Sequence, residues 1–156
     1  MSRVSRDPGR EYIAPVMKVR LRYAKRGRLR FSSHRDFQRA FERALRRAGV
    51  PMAYSAGFRP HPKISYANAA PTGVASEAEY IEIGLAAQFD VDQLRADLDE
   101  AMPTGLDIVD AVEVREGDLV SRLEASVWQF VLPEVTPEQG QAAVASLLAA
   151  DEITVE

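Results

Sequence analysis

The segment from Ser33 to Ala48 constrains the fold most, because its apolar and cationic residues fall on opposite sides of a helix. At about 100° per residue, six apolar residues form one stripe, and five arginines lie within an arc of about 120° on the other side. The stripe contains Phe37, Ala40, Phe41, Ala44, Leu45 and Ala48, and the arc contains Arg35, Arg39, Arg43, Arg46 and Arg47. Such a helix packs on a core through one side and leaves the arginines on the surface.

The ends of this helix are also marked in the sequence. Ser33, with Asp36 three residues later, resembles a capping box, and an acid there suits the positive end of a helix. Gly49 and Pro51 predict the stop.

The segment before the helix, MKVRLRYA, alternates between apolar and cationic residues and predicts a half-buried strand. Its cations, Lys18, Arg20 and Arg22, face away from the apolar side. A tight turn over residues 25–27 and a return strand over residues 28–31 would complete a hairpin. In such a fold the strand cations and the helix arginines lie on different sides, so one ligand does not reach both.

The elements that follow predict an α+β fold. They are strands over 64–68, 77–85 and 106–114, a helix over 91–102, a strand over 123–132, a helix from 137 to about 150, and a strand beginning at 153. This order predicts a ferredoxin-like split βαβ unit, followed by the start of a second, truncated ferredoxin-like unit. The expected domains are a disordered basic arm (1–15), a ferredoxin-like domain (16–116) and a partial α+β domain (117–156).

The composition narrows the class of protein. The sequence contains no cysteine, which excludes disulfides and any cysteine-ligated iron–sulfur cluster or zinc site on these residues. No stretch of 18 apolar residues and no secretory signal is present, so we expect a cytoplasmic protein with no membrane contact. No cofactor is expected on this chain.

The net charge of −3 conceals a strong segregation of charge. Residues 1–63 hold 17 Lys and Arg against 4 Asp and Glu, a net charge of +13, whereas residues 64–156 hold 3 against 19, a net charge of −16. This asymmetry predicts a polyanionic partner for the basic part. The alternative is that the two parts neutralise each other within the molecule.

A loop with an unusual composition, YSAGFRPHPKISYAN, occupies residues 54–68. Arg59, His61 and Lys63 would contact phosphate, and the aromatic residues Tyr54, Phe58 and Tyr66 could stack on splayed bases. The alternative is that the aromatic rings plug the edge of the core, which we expect for Phe58. Glu77 and Glu79 are candidates to anchor Arg59 or Lys63.

The two histidines, His34 and His61, permit an enzymatic alternative. The positive end of the helix favours the neutral form of His34, which suits a general base in RNA cleavage. A structural role for both histidines is the better explanation of their presence. No phosphate-binding loop, dinucleotide-binding glycine motif, metal-spaced cluster or nucleophile elbow occurs.

Four spaced motifs resemble those of the bacterial radical SAM-linked family. They are K-x-G-x-L-R-F-x-S-H-x-D at 25–36, R-A-x-R-R-A-G-x-P at 43–51, S-x-G-F-x-P-H-P-K at 55–63 and G-x-x-S-x-x-E-Y at 73–80. The resemblance covers about residues 17–115. It implies a protein fused to, or encoded beside, a radical S-adenosylmethionine enzyme. Without cluster-binding cysteines, this chain would be the accessory partner.

Three functional hypotheses follow from these observations. The first is a non-catalytic adaptor that presents a tRNA or rRNA segment to a radical S-adenosylmethionine enzyme. Its nucleic-acid-binding residues would be Arg35, Arg39, Arg43, Arg46, Arg47, Arg59, His61 and Lys63. The second is a metal-independent endoribonuclease that uses His34 and His61. The third is a protein-interaction module whose acids, including Asp97, Asp99, Glu100 and those of residues 107–118, dock a basic partner.

Overall fold

The computed structural model describes residues 14–67 and 69–154. The chain divides into two compact units, the first ending at Leu123 and the second beginning at Glu124. Nearly all of the predicted basic arm, and the end of the strand predicted from residue 153, lie outside the described residues. Within the described ranges, no helix has the length and apolar character needed to cross a bilayer.

The first unit contains a four-stranded antiparallel sheet and two helices. The elements are β1 (Met17–Lys25), α1 (His34–Arg47), β2 (Ile64–Tyr66), β3 (Ser76–Leu85), α2 (Val91–Ala101) and β4 (Ile108–Glu113). The strand order is β2-β3-β1-β4, and all three neighbouring pairs are antiparallel. A βαββαβ chain in this order forms two interleaved split βαβ units. The α+β, ferredoxin-like prediction is therefore confirmed.

The core lies between the sheet and the helices, as the alternation of β1 and the apolar stripe of α1 predicted. The inward residues of β1, such as Val19 and Leu21, are fully buried, and Phe37 and Phe41 of α1 pack over them. The Tyr23 and Phe37 rings stack with their centroids 4.0 Å apart. Burial of each large apolar side chain contributes about 1.5–3 kcal/mol, so this face holds α1 on the sheet.

The predicted return strand over residues 28–31 is wrong, because Gly27–Phe31 forms a 3-10 helix. Gly27 has a φ of 54°, and two short-range hydrogen bonds follow, from Leu29 N to Arg26 O and from Ser32 N to Leu29 O. Residues 28–31 could not pair with β1 in a hairpin, because β1 is a central strand. β3 and β4 already occupy both of its edges.

The predicted cap of α1 is confirmed. Ser33 Oγ accepts a hydrogen bond from Asp36 N at 3.1 Å and donates one to the Asp36 carboxylate at 2.7 Å. These bonds, with Arg39 and Arg35 nearby, lower the pKa of Asp36. The helix therefore begins at a fixed residue, which sets the direction in which each arginine points.

The second unit contains α3 (Pro137–Leu148), which begins with the predicted cap of Thr136 and Gln139. The strand predicted over 123–132 is not formed, although Trp128 and Phe130 give that segment a strand-like composition. A strand needs a neighbour that accepts its backbone hydrogen bonds. No strand occurs in the described part of this unit, and the rings of Trp128 and Phe130 are exposed.

Candidate nucleic-acid interface

The five arginines of α1 are all exposed to solvent. Arg46 lies 4.0 Å from the Glu42 carboxylate, and Arg47 donates a long hydrogen bond of 3.5 Å to the Ala101 carbonyl. The other three, Arg35, Arg39 and Arg43, make no hydrogen bond or ion pair with the described residues. The prediction that this arc faces solvent is confirmed, and most of its cationic charge is not neutralised by a contacting carboxylate.

Only two acids belong to α1: Glu42 lies just outside the arginine arc, and Asp36 lies near its other edge. Asp36 is held by Ser33 at the helix start. Glu42 lies on the side of Tyr66, whose pKa is raised to about 12, mainly by burial and secondarily by the Glu42 charge. Between these borders the arc presents guanidinium groups, each of which is charged at every physiological pH and binds phosphate in a bidentate geometry.

The strand cations have a different environment, because acids of the neighbouring strands pair with them. Lys18 Nζ and Arg20 Nε lie 3.0 and 2.9 Å from the two carboxylate oxygens of Glu82 on β3. Arg22 lies 3.8 Å from Asp110 of β4. These pairs occupy the sheet face that points away from α1, as the alternation predicted. Internal neutralisation therefore accounts for the strand cations but not for the helix arginines.

Arg26 shows the same neutralisation in the loop after β1. Its guanidinium donates to Glu77 at 2.8 Å through Nε and to Asp107 at 2.8 Å through Nη1. These two acids raise the pKa of Arg26, and Arg26 in turn lowers the pKa of Glu77. Glu77, a candidate anchor for Arg59 or Lys63, thus binds Arg26. Glu79, the other candidate, accepts a hydrogen bond from the backbone N–H of Ala70 at 2.9 Å.

Two adjoining cavities of about 400 and 280 Å³ lie on the sheet face away from the helices. Both are lined by Arg20, Val112 and Arg122. Arg20 already binds Glu82 and the Gly117 carbonyl, and Arg122 donates to the Glu116 carbonyl at 3.2 Å. Arg20 and Arg122 in these cavities are therefore bonded within the chain, whereas the arginines of α1 are exposed.

The loop that follows α1 forms a hairpin, which we call the 52–63 hairpin. Its two arms are joined by hydrogen bonds of 2.8 Å from Ser55 N to His61 O and from Lys63 N to Ala53 O. Ala53 N and the Lys63 carbonyl also bond to the backbone of Gly84 on β3. The hairpin is therefore an extension of the sheet edge, and its base is fixed to β3.

The tip of the 52–63 hairpin carries exposed cationic and aromatic side chains. Arg59 and His61 are exposed, and Lys63 lies half-buried in the second arm. The expectation that Phe58 plugs the core is wrong, because its side chain is 87% exposed. Tyr66 behaves in the opposite way: it packs against the core beside Phe37 and is not presented to a ligand.

His34 and His61 are not in contact with each other. The His34 ring lies edge-on to Tyr66, with centroids 5.2 Å apart, and its Nε2 lies 2.9 Å from the Gln38 amide nitrogen. His61 lies in the second arm of the 52–63 hairpin, where its backbone pairs with Ser55. An acid–base pair needs both groups within hydrogen-bonding reach of one reacting phosphate. The endoribonuclease activity stays a prediction.

Two buried charged residues have contacts that the sequence did not predict. Lys25, which was expected in a turn, is 3% exposed and donates to the carbonyls of Ser32 and Ala70 at 3.4 and 3.5 Å. Glu79 is 4% exposed and binds the N–H of the same Ala70. The alternation of β1 could have predicted the burial of Lys25, since residue 25 continues the inward series of residues 17, 19, 21 and 23.

Comparison with known proteins gives a family but no described function. The family described as "Uncharacterized protein conserved in bacteria (DUF2344)" matches residues 18–156, so the chain belongs to this bacterial family. No curated protein and no solved structure matches the chain. The bacterial family predicted from the four motifs is thus confirmed at this coarser level, and the association with a radical S-adenosylmethionine enzyme stays a prediction.

Proposed function

We propose that this member of the bacterial family is a non-catalytic RNA-binding protein that uses the arginine face of α1. The observation that carries the proposal is the contrast between two sets of cations. Lys18, Arg20 and Arg22 pair with carboxylates of the sheet, whereas Arg35, Arg39 and Arg43 have no ion-pair partner among the described residues. Like charges held together repel, so an arc of this kind is suited to an external polyanion.

RNA fits this surface for chemical reasons. A guanidinium group binds phosphate through two parallel hydrogen bonds and stacks on bases. Five of them along 14 residues of α1 extend over about 20 Å of helix, which matches a backbone segment of several phosphates. In the cell, the partner that would use the bound RNA is a radical S-adenosylmethionine modifying enzyme. That part of the proposal rests on the motif resemblance.

The test is fluorescence anisotropy with labelled bacterial tRNA and rRNA fragments at low salt. The variant Arg39→Gln/Arg43→Gln removes two charges from the α1 arc. The control variant Lys18→Gln/Arg115→Gln removes two charges from exposed side chains elsewhere. We expect the α1 variant to bind at least tenfold more weakly and the control variant to stay within about twofold of the wild type, because the α1 arginines contact phosphates and the two control residues do not.

The proposal fails if the wild-type protein binds none of these RNAs at low salt. Equal loss of affinity in the two double variants would show that net charge, and not the α1 surface, causes the binding. The enzyme partner is tested separately by co-purification of a radical S-adenosylmethionine protein with the tagged wild-type chain. In that experiment, variants at Asp97, Asp99 and Glu100 would reveal a docking role for the acids.

A further inference from the structure

We propose that the larger of the two sheet-face cavities binds a small organic anion, which consists of a phosphate or carboxylate group on a short apolar body. The cavity has a volume of about 400 Å³, and its cationic lining is Arg20, Arg115 and Arg122. It lies on the sheet face away from the helices. The site is therefore separate from the arginine surface of α1 and independent of the proposed RNA binding.

The first observation is that two guanidinium groups are fixed against one glycine. Arg20 donates to the Gly117 carbonyl through Nη2 and to the Glu82 carboxylate at 2.9 Å through Nε. Arg122 donates to the Glu116 carbonyl at 3.2 Å, and a Cβ on Gly117 would lie only 2.9 Å from its Nε. Gly117 also has a φ of 77°, which disfavours any side chain there. Both cations are thus positioned at the cavity wall before a ligand binds.

The second observation is that these groups keep unused donors and positive charge. Every nitrogen of a guanidinium group carries N–H donors, and within the described part of the chain neither Arg20 Nη1 nor Arg122 Nη1 donates to a protein atom. The partner of Arg122 is a neutral carbonyl. The exposed side chain of Arg115 makes no hydrogen bond or ion pair with the described residues. Cations held at one wall repel each other, and an anion between them removes this repulsion.

Two acids also line the cavity, and their placement leaves the positive charge in excess. Glu113 lies opposite Val19 in the strand register, and Val19 is fully buried on the core side. Residues directly opposite in a strand pair point to the same side of the sheet, so the Glu113 carboxylate points away from the cavity face. Glu116 is exposed and binds Arg122 through its backbone. The lining therefore presents three guanidinium groups against the single carboxylate of Glu116.

The size and the apolar part of the lining define the ligand class. Val112 and Val114 line the larger cavity, and Val112 also borders the adjoining cavity of about 280 Å³ with Tyr80 and Leu119. Small-molecule sites of about 300–1,000 Å³ combine apolar walls with a few polar groups that fix the orientation of the ligand. Guanidinium groups bind phosphate and carboxylate in the same bidentate geometry. A phosphate or carboxylate head on an apolar body of about one ring therefore fits the cavity.

The experiment is an NMR titration of the isotope-labelled protein, which follows the amide resonances of residues 115–123. The probes are phenyl phosphate, benzoate, inorganic phosphate and the neutral benzyl alcohol. We expect phenyl phosphate and benzoate to shift these resonances and benzyl alcohol to leave them unchanged. Inorganic phosphate should bind about tenfold more weakly than phenyl phosphate, because it buries no apolar surface.

Variants then locate the anion. Arg122→Gln should weaken phenyl phosphate binding by about tenfold or more, because it removes charged donors. Arg122→Lys keeps the charge but loses the planar fork, so it should give an intermediate loss. The matched controls are Arg28→Gln, which changes an exposed arginine outside the cavity lining, and Arg39→Gln/Arg43→Gln on α1. Both controls should bind within about twofold of the wild type, and the amide spectrum of each variant shows whether it is folded.

The other outcomes overturn the cavity site. They are that neither anion shifts residues 115–123, that benzyl alcohol shifts them as much as benzoate does, or that Arg122→Gln and Arg28→Gln weaken binding equally. If the α1 variant loses phenyl phosphate binding while Arg122→Gln keeps it, the anion binds at α1, and only the cavity site is lost. Conversely, anion binding in the cavity by a protein that binds no RNA at low salt would refute the proposed function alone.

Discussion

Replacement of Glu79 tests how the loop around Ala70 is fixed next to the start of α1. Glu79 is 4% exposed, and its carboxylate accepts the N–H of Ala70 at 2.9 Å. Lys25, 3% exposed, donates to the carbonyl of the same residue and to the Ser32 carbonyl, which precedes the helix cap. The two charged side chains therefore hold one peptide segment from both sides. We expect Glu79→Ala to destabilise the first unit and to loosen this loop.

The magnitude follows from the contacts. A hydrogen bond to a charged group contributes about 1.5–3 kcal/mol, and a neutral one about 0.5–1.5 kcal/mol. Glu79→Gln keeps an acceptor for Ala70 N and loses the charge, so it should cost about 1 kcal/mol. Glu79→Ala loses this charged acceptor and leaves the part-buried Ala70 N–H without its partner, so it should cost about 3 kcal/mol.

Urea unfolding measures both free energies, and hydrogen exchange of the 67–75 segment reports the local effect. Glu116→Ala is the matched control, because Glu116 is exposed and, within the described part of the chain, bonds only through its backbone carbonyl. Its cost should be below about 0.5 kcal/mol. A cost of less than 1 kcal/mol for Glu79→Ala, with unchanged exchange in the segment, would refute the anchoring role.

Three further predictions concern other parts of the first unit. If all five α1 arginines contact single-strand phosphates, a plot of log affinity against log salt concentration should have a slope of about −3.5. Arg39→Gln/Arg43→Gln should change this slope to about −2.1. An unchanged slope would show that Arg39 and Arg43 do not contact phosphates. Because the folded-state pKa of Asp36 is lowered, its charge stabilises the fold above the unfolded pKa, and this stabilisation is lost as pH falls through the folded pKa. Asp36→Asn should therefore lower the melting temperature at pH 7 and leave it nearly unchanged at pH 2, and a loss of equal size at both pH values would argue against this role. Gly105→Ala should destabilise by at least about 1 kcal/mol in urea, since Gly105 has a φ of 97° and a Cβ would lie 2.9 Å from the Arg26 carbonyl oxygen; a neutral effect would contradict the strain.

The elements that the sequence predicted well are those whose own residues determine them. The alternation in β1 and the arginine arc of α1 each repeat over several periods, and Ser33, Asp90 and Thr136 mark helix starts by local hydrogen bonds. Residues 28–31 and 123–132 carry strand-like patterns as well. Their structures depend on whether a strand edge is free elsewhere in the molecule, which no local pattern records.

The candidate site also has some features that the sequence predicts and others that it does not. Exposure of the α1 arginines follows from the helix period alone. Which cations are neutralised follows from the strand register, which places Arg20 opposite Glu82 and Arg22 opposite Asp110. The position of Phe58 could not be predicted, because hydrophobicity favours burial while the hydrogen-bonded hairpin arms carry the ring away from the core.

The uneven distribution of cations on the first unit also affects how the protein behaves on charged supports. With a net charge of −3, the molecule should adsorb to an anion exchanger near pH 7. The exposed arginines of α1 should also retain the protein on a sulfonated resin, because the resin binds a local patch of positive charge whatever the net charge of the whole molecule. Dual retention would indicate a large electric dipole, which would turn α1 toward any negatively charged surface during diffusional approach.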